Sequence, residues 1–215
     1  MPRRTPFTEP FDQLPPTLPV FPLANAVVLP GGYLPLNIFE PRYLNMVQDA
    51  MASHRLVGMI QPRDDSATPD LYQVGCAGRI IRYAETADGR LEIGLSGICR
   101  FTVTEELDTT RGYRLVRPDW SNYSVDYTKQ DEPAQTDRQH FTTLLKAYLE
   151  RNALQADWAS LDQVPAEELI NNLVSVLPLN EADRQLLLET DTLDNRLRAF
   201  SAILEGGLEA PGVRH

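Results

Sequence analysis

The sequence predicts an α+β protein in which a β-rich part holding one helix is followed by an all-helical part. Three observations carry that prediction. Between Leu18 and Trp120, short apolar runs are punctuated by proline, glycine and one Asp-Gly pair, the pattern of strands and tight turns. Beyond residue 135 the apolar residues instead recur three and four positions apart, the spacing of a helix face. The charges divide along the same line: residues 79–117 hold seven arginines against six acids, whereas 131–205 hold fourteen acids against six basic residues.

Residues 1–16 are proline-rich and aperiodic, and read as a flexible leader outside the fold. The β-rich domain spans 17–122. Its first expected strands are "LPVFPL", "AVVLP" and "YLPLNIF", with the Gly31-Gly32 turn before the third. Proline cannot donate to a ladder, so these strands should be short, bulged or at an edge. In "EPRYLNMVQDAM", Pro41 suits the first helical turn, and Leu44, Val47 and Met51 fall at helical spacing. Glu40 and Arg42 flank that start as an expected ion pair. "LVGMIQPR" returns to strand. The stretch from Leu71 to Leu107 should hold at least three strands, with Asp88-Gly89 as a hairpin signal, and "GYRLVRPDW" supplies the last. "SNYSVDYTKQDEPAQ" reads as a polar linker.

The helical domain spans 131–207. Phe141, Leu144, Leu145, Tyr148 and Leu149 form one face, and a second helix after Pro165 carries Leu169, Ile170, Leu173, Val174 and Leu177. Asn180 and Asp183 look like a capping pair at the start of a third helix. A fourth carries Leu193, Leu197, Phe200, Ile203 and Leu204, and Gly206-Gly207 should end it. Residues 208–215 are left as a tail.

The chain has 215 residues and a formal net charge of −10, which opposes a protein whose task is to neutralise phosphates. Only two of its cations are lysines, Lys129 and Lys146, so most of the positive charge sits on planar guanidinium groups suited to fixed ion pairs. Cys76 and Cys99 form no CxxC pair and read as buried thiols, with a disulfide possible only between neighbouring strands. No apolar segment follows the N-terminal arginines, and no run approaches the roughly 20 residues that span a bilayer. A reducing cytoplasm is the expected setting.

Catalytic chemistry finds no foothold in the sequence. There is no GxxxxGK[ST] loop, and "GLSG" at 94–97 lacks the spacing of a nucleophile elbow and lies in a strand. His54, His140 and His215 are too scattered for a zinc motif. Glu105-Glu106 and Glu167-Glu168 are sequence neighbours whose side chains diverge. No catalytic residue, metal or cofactor is expected.

Several ordered motifs resemble one family. "LPVFPLANAVVLPGGYLPLNIFEPRYLNMVQDAM" resembles the start of the Lon N-terminal, substrate-binding domain family, with its LPxxPLxxxVxxPxxxxPLxxxE pattern followed by a helix. "LYQVGCAGRI", "GLSGICRFTV" and "LVSVLPLNEADRQLLLETDTLDNRLRAFSAIL" resemble its later strands and closing helices, so the likeness covers about residues 17–205. The "FEPRY" form, Phe39 to Tyr43, is similar to that of free-standing bacterial members and of eukaryotic proteins that carry this domain beside RING fingers. The resemblance implies a PUA-like β-barrel with an inserted helix, followed by a C-terminal helical bundle. It also implies that the ATPase and serine–lysine peptidase of a full Lon protease are lacking, so neither ATP nor casein should be hydrolysed.

The function implied is recognition of unfolded or exposed apolar polypeptide, with no membrane role. The candidate contact residues are Gly31, Gly32, Tyr33, Phe39 and Tyr43. An alternative, RNA binding by a PUA-like domain, would use Arg79, Arg82, Arg114 and Arg117 together with Arg100 and Arg111, against the net charge. A third reading is an adaptor that engages a specific protease or chaperone partner through its acidic helices.

Overall fold

Leu18–Pro22 (β1) runs parallel to Leu56–Ile60 (β3), with Val20 opposite Gly58. A parallel pair requires a crossover. The chain supplies it with Tyr33–Ile38 (β2) and the helix Pro41–Met51 (α1), which lie between the two strands in sequence. Val74–Glu85 (β4), Leu91–Leu107 (β5) and Arg114–Asp119 (β6) complete a mixed six-stranded sheet in the order β2-β5-β4-β3-β1-β6. Because β6 pairs with β1 on one side and with the far end of β5 on the other, the ladder returns on itself. Among the described residues, β2 is left as the strand with an open edge. The computed structural model describes residues 7–155, 157–161 and 163–209.

The buried side chains form two clusters. Leu18, Val20, Leu56, Ile60, Ala77, Phe101 and Val116 share one face of the self-closing strands. That space is narrow: a Cβ on Gly75 would lie 2.6 Å from the Phe101 ring and from Met59 O, so only glycine lets the ring in. The second cluster is continuous from the sheet into the helices. It joins Phe21, Met59, Ile80, Ile93 and Leu95 to Met46 and Val47 of α1 and to the apolar faces of the C-terminal helices.

Those helices are Gln135–Arg151 (α2), Trp158–Leu161 (α3), Ala166–Val176 (α4), Glu181–Glu189 (α5) and Leu193–Glu209 (α6). Periodicity located four of them and their buried faces, and Asn180 caps α5 by accepting from Asp183 N–H at 2.8 Å. Pro41 opens α1 as expected, and Arg42 pairs with Glu40 at 2.8 Å. The short α3, with no apolar repeat to mark it, was missed.

Several elements differ from the expectation. "AVVLP" is no strand: Val27, Val28 and Leu29 are buried, but this segment packs against β5 at Gly97, where a Cβ would collide with Leu29 O, and Gly31 N–H donates to Gly97 O at 2.9 Å. Residues 71–107 make two strands and not three. Gly94 and Gly97 permit close approach instead of turning the chain, so the 17-residue β5 continues past them to pair with β2, β4 and β6. The polar linker begins as a 3₁₀ segment, Ser121–Tyr127, whose Asp126 and Tyr127 are buried.

Helix α6 runs through Gly206-Gly207 to Glu209, because Gly207 is pressed against Tyr148, where a Cβ would come within 2.8 Å of the ring. The expected tail therefore loses its first two residues to the helix, and 210–215 lie outside the described residues. So do leader residues 1–6. The rest of the leader packs on the body: Tyr127 hydroxyl donates to Glu9 O at 3.0 Å, Trp120 Nε1–H to Pro15 O at 3.1 Å, and the Phe11 and Tyr127 rings meet edge to face at 5.4 Å.

Candidate polypeptide-binding surface

Strand β2 alternates exposed and half-buried residues because one of its faces covers the core and the other meets solvent. Tyr33, Pro35 and Asn37 form the outer row, opposite Ser96, Gly94 and Glu92 of β5. Gly94 is required here: a Cβ would fall 2.5 Å from the Tyr33 hydroxyl oxygen, so the phenol lies flat across the bare backbone. Beyond β5, Arg82 of β4 sits opposite Gly94 and pairs with Glu92 at 3.8 Å. Tyr33, Pro35, Leu36, Asn37, Arg82, Glu92 and Ile93 line a shallow concavity of about 250 Å³.

Three large apolar side chains are left in water around it. Tyr33 is 46% exposed, Phe39 60% and Ile81 58%. Ile81 stands out because the register slips between Ile80 and Arg82, a bulge that turns an extra residue outward. Phe39 stands at the other end of β2, about 20 Å from Tyr33 at roughly 3.3 Å per residue, with the Arg90 guanidinium 5.5 Å from its ring. At the hairpin tip the Thr86 hydroxyl, and then Arg90, hold the Asp88 carboxyl below its ordinary range. Burial, reinforced by a hydrogen bond to Glu85, pushes the Tyr83 phenol up.

The five sequence-derived contact residues divide. Tyr33 and Phe39 are on the surface, and Gly31 forms the exposed turn with φ of 78°. Gly32 is buried, its N–H donating to Leu29 O at 2.8 Å. Tyr43 is a core residue, 6% exposed, with its ring 4.1 Å from that of Phe21 and burial raising its phenol pKa. Pro35, Ile81 and Arg82 were missed as parts of one surface. The Ile80-Ile81 doublet in β4 breaks strict alternation, and was the signal available.

The arginines do not make a free basic face. Arg114 pairs with Glu106 and also donates to Pro69 O, Arg117 pairs with Glu105 at 3.0 Å, and Arg111 with Asp49 at 3.0 Å. Arg79 is half-buried. Arg100 is buried altogether: its Nε and one terminal nitrogen donate to Asp126 at 3.0 and 2.8 Å, and the other donates to Thr190 O at 2.7 Å at the end of α5. Its charge holds an internal joint, out of reach of any ligand phosphate.

Cys76 and Cys99 lie on adjacent strands as free, buried thiols, and burial, followed by the charge of Asp126, pushes both pKa values upward. Neither is primed as a thiolate nucleophile. Among the described residues no group of three or more His, Cys, Asp or Glu could hold a metal ion. No helix among them is long and apolar enough to cross a membrane.

Comparison with known proteins places this architecture. The chain is 27% identical over 211 residues to the Lon protease of Dictyoglomus thermophilum and 25% over 207 residues to that of Syntrophus aciditrophicus, covering 91% and 92% of itself but 25% and 26% of those proteins. It therefore spans about a quarter of the length of the curated relatives it matches. A solved Lon N-terminal domain protein from Xanthomonas campestris superposes with a TM-score of 0.64 at 27% identity, covering 86% of this chain and 97% of that one. The N-terminal domain of Mycobacterium avium complex Lon protease shares the fold, with a TM-score of 0.62 at 18% identity over 90% of this chain and 98% of that one. The family model for the ATP-dependent protease La (LON) substrate-binding domain matches residues 17–206, and the chain belongs to that family.

Proposed function

We propose that this chain is a non-catalytic, cytoplasmic module that binds exposed apolar segments of other polypeptides, built on a PUA-like barrel and serving as an adaptor in protein quality control. The observation that carries the reading is the outer face of β2, where Tyr33 and Phe39 are held in water beside the outturned Ile81 in a substrate-binding domain. Apolar groups left exposed along one strand offer an extended chain repeated places to bury its side chains. Addition of a full strand to the edge is discouraged, since Pro35 in the middle of β2 has no N–H to donate. Side-chain contact therefore dominates over backbone pairing. The specificity is for exposed apolar character in a client, and no residue of the surface is poised for bond-breaking chemistry.

The test is fluorescence anisotropy with labelled casein as the unfolded polypeptide and a labelled RNA hairpin, each at low and high salt. Micromolar casein binding that is indifferent to salt is expected, and Tyr33→Ser with Phe39→Ser should weaken it about fivefold or more. Casein binding unchanged by the double substitution would remove the surface from the reading. Salt-steep binding of the RNA alone would replace the reading with nucleic-acid recognition.

A further inference from the structure

A second concave surface lies on the helical half and shares no lining residue with the β2 concavity. It is a groove of about 580 Å³ between the turn joining α4 to α5, the outer side of α5, the last turns of α6 and Tyr148 of α2. Leu186 is 51% exposed at its wall, and Val176, two residues before the lining Pro178, is 73% exposed. Covering either of them with a partner's apolar side chains is favourable.

Gly206 is the least explicable residue of this groove. Glycine inside a helix is destabilising relative to alanine, and the adjacent Gly207 repays its own presence by letting Tyr148 in. A Cβ on Gly206, by contrast, would meet nothing within 4 Å. No internal contact requires the missing side chain, so what it preserves is open space in the groove.

The groove also contains one charge. Asp183 lines it from the first turn of α5, and no ion pair is formed by Asp183 among the described residues. Burial raises its pKa, a shift that the hydrogen bond with Asn180 only partly offsets. A carboxylate partly desolvated among leucine, isoleucine and alanine side chains is complemented by a cation brought in from outside.

We infer that the groove between α5 and the end of α6 docks an apolar segment of a partner protein that carries one lysine or arginine, its apolar side chains covering Leu186 and Ile203 and its cation meeting Asp183. The volume falls within the range of ligand-binding clefts. The docking surface shares no residue with the β2 concavity, so a client on the β2 face and a partner in the groove can be held together.

The experiment measures anisotropy of a fluorescein-labelled amphipathic peptide with a leucine stripe and one central arginine, beside versions carrying glutamate or glutamine at that position. The arginine peptide should bind at least about tenfold more tightly than the glutamate peptide. Asp183→Asn should abolish that preference, and Gly206→Leu should weaken all three peptides while leaving the melting temperature unchanged or higher. Tyr33→Ser should have no effect, so failure of the β2 reading and failure of this one are read separately. Absence of binding, equal affinity for the arginine and glutamate peptides, or indifference to Gly206→Leu would overturn the inference.

Discussion

The guanidinium of Arg100 stays charged at 2% side-chain exposure because all three of its nitrogens donate to acceptors. Burial works against the charge, and the hydrogen bond and charge of Asp126 outweigh it, so the pKa ends above its ordinary value. The same side chain meets the carbonyls of Leu188, Thr190 and Asp191, where the end of α5 carries partial negative charge. Arg196 adds to that cluster through Leu187 O at 2.9 Å. Removing one partner from such a pair strands a buried charge. Asp126→Ala should therefore cost about 3–5 kcal/mol, whereas Arg100→Met combined with Asp126→Leu should recover much of the loss. Urea midpoints for the three proteins decide it, and a single-variant loss under about 1 kcal/mol would be too small for a buried pair. The sequence placed Arg100 on a strand but offered no sign of this role, since its partner stands 26 positions away in what read as a solvated linker.

Among the elements, the leader most changes the picture. Its aperiodic, proline-rich sequence gives no periodic signal, yet residues 7–16 form a 3₁₀ turn at Phe11–Gln13 and supply acceptors to Trp120 and Tyr127 and a ring to the latter. Both recipients flank Asp126, so the segment straps the 3₁₀ turn that holds Arg100 in place. Deletion of residues 1–16 should lower the melting temperature by several degrees, in keeping with a loss of about 1 kcal/mol or more. An unchanged melting curve would show that these contacts contribute nothing. Strand β2 illustrates a second limit on reading elements singly. Its proline and alternation were legible, but the exposure of Ile81, across β5 from it, depends on a register slip in β4.

For the whole molecule, the continuity of the larger core decides how the two halves behave. Phe21 and Ile93 of the sheet belong to the same buried cluster as Phe141 and Phe200 of the helices. Polar ties reinforce it: Gln61 Nε2 donates to Glu181 O and Gln185 Nε2 to Val74 O, each at 3.0 Å, and Asn171 Nδ2 to Pro30 O at 3.2 Å. The helical half alone would expose the apolar surface that faces the sheet. Far-ultraviolet and near-ultraviolet signals should accordingly lose structure in one coincident transition, and a fragment of residues 131–209 should fail to fold cooperatively. Two separated transitions would mean that each half is stable without the other.

By itself the sequence determined the α+β division, the positions of α1, α2, α4, α5 and α6, the β4–β5 hairpin and the family likeness. These depend on periods of two and 3.6 residues, on caps and on turn residues, all properties of neighbours along the chain. Tertiary structure alone decided that β6 closes the ladder onto β5, that Gly206-Gly207 continues a helix, that Tyr43 is core while Tyr33 is surface, and that Arg100 is an internal joint. Each of those outcomes is fixed by what lies opposite a residue across space: a strand edge, an aromatic ring, a carboxylate or a helix end. Composition and local spacing carry no record of such partners, because the same tyrosine or arginine satisfies the local pattern whether its side chain faces water or the core.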